Sequence, residues 1–96
     1  SYTTHLALRV NDRRTAIAHK PAELTHAEAA LVPFAGLVAY AGLLTYGGLT
    51  EPSAGARILV VGASGGVGHL AVQIAANALK ASLVAAVCST RNEDFV

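Results

Sequence analysis

The sequence is poor in charged residues. Only 14% of its 96 residues are Asp, Glu, Lys or Arg, whereas 53% are hydrophobic. A small domain that stands alone is expected to carry more charged surface than this. The imbalance therefore predicts a portion of a larger protein, whose remaining parts cover apolar surface.

Net charge and cysteine are also low. A formal charge of +1 provides no basic stripe, so binding to nucleic acid is not expected. The one cysteine, Cys88, excludes an internal disulfide and a zinc site built from several cysteines, and it suits a reducing compartment. Four histidines lack the spacing of metal ligands, and no metal site is predicted. They are His5, His19, His26 and His69.

One uncharged stretch, residues 29–50, is long enough to cross a bilayer. It contains Pro33 and several glycines, and no basic cluster flanks it, so a buried pair of helices is favoured over a membrane span. The N-terminus lacks the charged-then-apolar order of a signal peptide.

The most informative stretch is residues 57–92. Residues 58–61 are apolar and mostly β-branched, which predicts a strand buried on both faces. A glycine-rich turn follows, then apolar residues at helical spacing over 69–79, then a second β-branched run over 83–87. Strand, glycine turn, helix and strand in this order predict the first βαβ unit of a dinucleotide-binding domain.

The chemistry of a bound diphosphate explains the residue types in this turn. The diphosphate must approach the backbone N–H groups at the start of the helix, where the helix dipole favours negative charge. Side chains would block that approach, so glycine is expected, and a serine hydroxyl can donate to a phosphate oxygen. The alternative is a tight turn that binds nothing. The predicted contacts are Gly62, Ser64, Gly65, Gly66 and Gly68.

The end of the second strand bears on the choice of cofactor. NAD-binding units place a carboxylate there to accept from the ribose 2′-hydroxyl. Here Ser89, Thr90, Arg91 and Asn92 follow the strand, and the carboxylates of residues 93 and 94 come later. Because Arg91 can pair with a 2′-phosphate in bidentate fashion, NADP(H) is favoured over NAD(H). The alternative is an ordinary polar turn.

The upstream half predicts two strands and two helices. Residues 2–10 and 15–19 are expected to form strands around a polar turn at 11–14. Thr25 and Glu28 form a capping box for a short helix to about Val32. A second helix is expected from Pro33 to about residue 45, ended by the two glycines that follow.

One local conflict is visible beyond the central helix. A helix that ends near residue 79 is expected to be followed by glycine in left-handed geometry, but Lys80 occupies that position. If the backbone is left-handed there, the cost is about 1 kcal/mol.

Several motifs taken together resemble one enzyme family. The glycine spacing alone also fits short-chain dehydrogenases, but those begin almost directly with the nucleotide strand. The whole set is similar to the zinc-independent quinone oxidoreductase and enoyl reductase branch of the medium-chain dehydrogenase/reductase superfamily. The matching motifs are Lys20-Pro21, Leu24-Thr25, Glu28-Ala29-Ala30, Pro33, Ala35-Gly36-Leu37, Ala39-Tyr40, GASGGVG at 62–68, Val72-Gln73-Ile74-Ala75 and Cys88-Ser89-Thr90.

The resemblance implies a division of the chain. Residues 1–20 would be the tail of a GroES-like catalytic domain, residues 21–56 hinge helices and a connection, and residues 57–96 the N-terminal part of a Rossmann NADP-binding domain. Ser64, Gly65, Gly66 and Val67 would contact the pyrophosphate, and Ser89 with its neighbours the 2′-phosphate. Relatives often carry threonine where Val38 stands and glycine where Lys80 stands, so this chain departs from the family at both.

The function implied by the resemblance is NADPH-dependent, zinc-free reduction of a quinone, an enone or an enoyl thioester, by a homodimeric enzyme. The substrate pocket and the catalytic residues would lie outside these 96 residues, so this chain alone is expected to be inactive. Two alternatives remain open. The chain could serve as a non-catalytic NADPH-binding or structural module, or it could come from a zinc alcohol dehydrogenase or a short-chain dehydrogenase.

Overall fold

The computed structural model describes residues 3–96, which form a two-stranded parallel sheet and three helices. The strands are β1 (Arg57–Val61) and β2 (Leu83–Val87), paired with Arg57 opposite Leu83 and Val61 opposite Val87. The helices are α1 (His26–Ala30), α2 (Pro33–Tyr40) and α3 (Gly66–Gln73), and a 3₁₀ turn spans Thr90–Asn92. A mixed helix and strand architecture with parallel pairing is thus confirmed.

Helices α2 and α3 both widen into π-helical geometry in their last turns. The first continues over Ala41–Tyr46 and the second over Ile74–Ala78. The predicted span of α2 is therefore confirmed. The central helix starts at Gly66, three residues before the predicted start at His69, because its first turn is built from the glycine segment itself.

The core is small and lies between α2, α3 and one face of the sheet. Its buried members are chiefly alanines, joined by Val60, and partly buried leucine, isoleucine and valine side chains pack around them. Gly36 on α2 lies close to Leu70 of α3, since a Cβ built there would be 3.8 Å from the Leu70 Cδ1 atom. Small residues thus allow the two helices to approach closely. The buried core residues are Ala39, Val60, Ala63 and Ala71.

Burial of β1 is one-sided, which corrects the prediction of a strand covered on both faces. Ile58 and Val60 pack on the core, whereas Leu59 and Val61 are 64% and 74% exposed. Side chains alternate between the faces of a strand, and α3 covers only one of them. An apolar run in the sequence indicates that both faces of the strand favour burial. It does not show which element, if any, covers the second face.

The predicted strands before α1 are wrong over the described residues. No strand forms between Thr3 and Lys20; Tyr2 lies outside the described range. Backbone hydrogen bonds in this segment are local, such as those from Asp12 to Arg9 and from Thr15 to Asp12, and they confirm the turn. A strand needs a partner and an apolar surface beneath it, and an isolated hairpin is marginal in water.

The signals at the helix ends are confirmed. The Thr25 hydroxyl accepts from the Glu28 N–H at 3.2 Å, and the Glu28 carboxylate accepts from the Thr25 N–H at 2.9 Å, which completes the capping box. Beyond α3, Lys80 has a φ of 51°, the left-handed value expected there. None of the helices among residues 3–96 is long and apolar enough to cross a bilayer.

Candidate functional site

The glycine turn between β1 and α3 is anchored to the end of β2. Gly62 has a φ of 75°, which glycine adopts without a Cβ penalty. The N–H groups of Gly62 and Ala63 both donate to the Val87 carbonyl, at 3.0 and 2.9 Å. These two bonds hold the turn at the carboxyl edge of the sheet, where ligands of open parallel α/β sheets bind.

The first turn of α3 presents backbone N–H groups that donate to no acceptor in the described part of the chain. The helix begins at Gly66, with Gly65 as an N-cap that has no side-chain oxygen to offer. The N–H groups of Gly66, Val67 and Gly68 cannot be paired within the helix, and no other group among residues 3–96 accepts a hydrogen bond from them. Together with the helix dipole they form a site suited to an anion.

The glycines of this turn differ in what surrounds them. A Cβ at Gly66 would meet no atom within 4 Å outside its own helix backbone, and Gly66 is exposed, so the space on its Cβ side is open. A Cβ at Gly68 would overlap the Gly62 carbonyl and lie 2.9 Å from the Ala63 Cα atom. Gly68 is thus required for packing of the turn against the helix, whereas Gly66 leaves room for a ligand.

The polar segment after β2 lies against the glycine turn. Asn92 donates from Nδ2 to the Ser64 hydroxyl at 3.2 Å and to the Ser89 hydroxyl at 3.1 Å. The structure therefore brings together the predicted diphosphate and 2′-phosphate segments, although 28 positions separate Ser64 from Asn92. Sequence reasoning placed both segments at the site but missed this bridge, for which the sequence contains no local signal.

Thr90 and Arg91 begin the 3₁₀ turn and are exposed. The Asn92 N–H donates to the Ser89 carbonyl at 2.9 Å and thereby closes the turn. The Arg91 guanidinium makes no hydrogen bond to any group among residues 3–96, so its donors are available to solvent or a ligand.

Two further side chains near the turn, His69 and Cys88, differ in their surroundings. The His69 Nδ1 atom lies 2.9 Å from the Gly65 carbonyl oxygen, and its ring centroid lies 6.0 Å from that of Phe95. Cys88 is a half-buried free thiol. Among residues 3–96 no three His, Cys, Asp or Glu side chains are grouped closely enough to hold a metal ion.

Known proteins resemble this chain over most of its length. The human mitochondrial NAD(P)H oxidoreductase RTN4IP1 is 41% identical over 83 residues, which cover 83% of this chain and 20% of that protein. The chloroplast envelope quinone oxidoreductase homolog of Arabidopsis thaliana is 48% identical over 79 residues, covering 80% of this chain and 23% of that protein. No protein-family model matches the chain.

A solved structure shares the fold. The crystal structure of the CurK enoyl reductase superposes with a TM-score of 0.64 at 38% identity, covering 81% of this chain and 22% of that one. The helices and parallel sheet of this chain thus resemble a segment of that enoyl reductase structure. The chain is a homologue of the quinone oxidoreductase and enoyl reductase branch of the medium-chain dehydrogenase/reductase superfamily, as the sequence motifs indicated. It spans about a fifth of the length of the curated relatives it matches.

Proposed function

We propose that the protein is an NADPH-dependent, zinc-free oxidoreductase that reduces a quinone or the carbon–carbon double bond of an enone or enoyl thioester. The observation that carries this proposal is the set of three N–H groups at the start of α3, which have no hydrogen-bond acceptor among residues 3–96 and lie beside the open space at Gly66. A diphosphate fits such a site because it supplies negative charge and acceptor oxygens at short range.

The residues that would hold the cofactor fall into two groups. Gly62, Gly65 and Gly68 shape the turn, while Ser64, Gly66 and Val67 would face the diphosphate. Ser89, Thr90, Arg91 and Asn92 form the group at the end of β2 that would hold or surround the adenosine 2′-phosphate. When bound, the reduced nicotinamide supplies the hydride, and the protein positions and shields it.

Preference for NADPH is supported by charge at the end of β2. Ser89 and Arg91 lie two and four residues beyond the end of β2, and both are exposed. A guanidinium with unused donors pairs well with a phosphate dianion, whereas a ribose hydroxyl gains little from it. The human relative is named an NAD(P)H oxidoreductase, which agrees with a nicotinamide cofactor.

The proposed substrates come from relatives. The Arabidopsis protein is named a quinone oxidoreductase homolog, and the solved structure is an enoyl reductase. Both names indicate a substrate that accepts a hydride. As it does so, negative charge develops on a quinone or carbonyl oxygen, and the enzyme must stabilise that charge. We place the groups that do so outside residues 1–96.

The domain division is part of the same proposal. Residues 1–20 would be the tail of a GroES-like catalytic domain, 21–56 the hinge, and 57–96 the start of a Rossmann domain in a homodimeric enzyme. The strand–helix–strand order of β1, α3 and β2 supports the last assignment. Sedimentation of the protein at its full natural length tests the dimer.

Fluorescence titration with NADPH and NADH, followed by turnover of a quinone and an enone, tests the function in the protein at its full natural length. We expect tighter binding of NADPH and turnover that survives a zinc chelator. Tight NADPH binding without turnover would instead support a non-catalytic module, and loss of turnover on chelation would support a zinc enzyme. Failure to bind either dinucleotide would refute the proposal.

A further inference from the structure

The side-chain amide of Asn92 joins the two halves of the candidate site. Its Nδ2 atom carries two hydrogens, and the two acceptors in reach are the hydroxyl oxygens of Ser64 and Ser89, at 3.2 and 3.1 Å. Asn92 and Ser64 are both half-buried, while Ser89 is exposed. One amide nitrogen therefore uses both of its donors on the two serines that the proposed cofactor would contact.

This arrangement fixes the role of each serine hydroxyl toward Asn92 as that of an acceptor. A hydroxyl has one hydrogen and two lone pairs, so a hydroxyl that accepts from Asn92 keeps its own hydrogen free for another acceptor. Among residues 3–96 the Ser64 hydroxyl makes no other hydrogen bond, and the same holds for the Ser89 hydroxyl. Both hydroxyls are thus left as donors, as a phosphate oxygen requires.

We infer that Asn92 is a positioning residue that orients Ser64 toward the diphosphate and Ser89 toward the 2′-phosphate, and that it acts through these serines rather than by touching a phosphate itself. This inference rests on the proposed function. It differs from the expectation that Asn92 contacts the 2′-phosphate directly, because both of its amide hydrogens are already engaged.

The two roles predict different patterns of cofactor affinity. A residue that touches only the 2′-phosphate affects NADPH and leaves NADH unchanged. A residue that orients both serines affects both dinucleotides, and its effect vanishes once the serines are gone. Double-mutant cycles measure that dependence directly, because coupled residues give non-additive losses.

The test uses NADPH and NADH dissociation constants for Asn92→Ala alone and combined with Ser64→Ala and Ser89→Ala, in the protein at its full natural length. We expect Asn92→Ala to weaken both dinucleotides by about three- to tenfold, the usual size for a lost hydrogen bond. In the Ser64→Ala background its effect on NADH should disappear. In the background that lacks both hydroxyls its effect on NADPH should disappear as well.

A second readout needs no cofactor. The Asn92 side-chain NH₂ signal in a ¹⁵N NMR spectrum, identified by its loss in Asn92→Ala, should shift in both Ser64→Ala and Ser89→Ala. Asn77→Ala is the matched control, because Asn77 is an exposed amide in the last turns of the central helix. That variant should change neither the dissociation constants nor the signal.

Two results would overturn the inference while leaving the proposed function intact. One is that Asn92→Ala weakens the binding of NADPH alone, and by the same factor when both serine hydroxyls have been removed. The other is an Asn92 NH₂ signal that neither serine substitution moves. Absence of binding by the unsubstituted protein is a separate outcome, since it refutes the proposed function itself, and the NMR result then still decides whether the bridge exists.

Discussion

Gly68 lies directly against the carbonyl group of Gly62, six positions earlier, and this contact closes the turn from β1 into α3. A Cβ at Gly68 would overlap that carbonyl oxygen and lie 2.9 Å from the Ala63 Cα atom. Both obstacles are backbone atoms, and Ala63 is fully buried, so neither can move without displacing the turn from its anchor on Val87.

Gly68→Ala should therefore destabilise the protein even though alanine favours helix. Overpacking of this kind costs about 1–3 kcal/mol, which exceeds the gain of about 1 kcal/mol from helix propensity. Urea unfolding followed by circular dichroism measures the difference. An unfolding free energy equal to that of the unsubstituted protein would show that the turn relaxes more easily than its packing indicates.

Gly66→Ala is the matched substitution, because its Cβ would meet no atom within 4 Å and its φ is not positive. Stability should stay the same or rise by up to about 1 kcal/mol. Affinity for NADPH and for NADH should both fall at least about tenfold, since the methyl group would occupy the space where the diphosphate is proposed to approach the amides. Calorimetric titration of both dinucleotides provides the check. Unchanged affinity would place the diphosphate elsewhere.

Two helices end with the same local geometry but with different residues. Gly48, with φ 69°, is spanned by a hydrogen bond from the Leu49 N–H to the Leu43 carbonyl. Lys80, with φ 51°, is spanned in the same way by a bond from Ala81 to Ala75. Left-handed geometry costs a residue with a Cβ about 1 kcal/mol or more, which glycine avoids.

Lys80→Gly should accordingly raise the unfolding free energy by about 0.5–1 kcal/mol, the strain relief minus the added entropy of the unfolded chain. Thermal and urea unfolding measure it. Gly48→Ala is the converse control and should lower stability by about 1 kcal/mol. If Lys80→Gly lowers the unfolding free energy, the exposed lysine side chain must stabilise the protein by more than its left-handed backbone destabilises it.

The parts of the fold that could be predicted from sequence are those fixed by neighbouring residues. The span of β2 and the capping box of Thr25 and Glu28 follow from local patterns, and both are confirmed. The sequence left the turn after α3 open because it has no glycine there, and the structure shows Lys80 in left-handed geometry. The strands expected before α1 were wrong because a strand depends on a partner, which alternation of side chains does not supply.

The candidate site divides in the same way. The glycine positions and the polar residues after β2 can be predicted from the sequence. The glycines leave the backbone without side chains, and the polar residues provide charge and hydrogen-bond donors, so both are local properties. The bond from Asn92 to Ser64 could not be read, because it depends on how β2 lies beside β1. Widening of both helices into π-helical turns was likewise missed, and we have no sequence signal that accounts for it.

Arg91→Ala tests the choice between the two dinucleotides. Arg91 is exposed in the turn after β2, and its side chain donates to no group within residues 3–96, so its removal should leave the fold intact. A bidentate pair with a phosphate is a strong charge-assisted contact, and its loss should weaken NADPH by about tenfold or more. NADH lacks the 2′-phosphate and should change by less than about threefold.

Arg57→Ala provides the control for that substitution. Arg57 is also exposed and carries the same charge, but it begins β1, at the opposite edge of the parallel sheet from the end of β2. Its removal should affect the two dinucleotides alike and only slightly, because screened charges act weakly beyond about 10 Å. Equal losses of NADPH and NADH affinity in Arg91→Ala would contradict a 2′-phosphate contact. Equal effects of the two arginine substitutions on NADPH would reduce the role of Arg91 to general electrostatics.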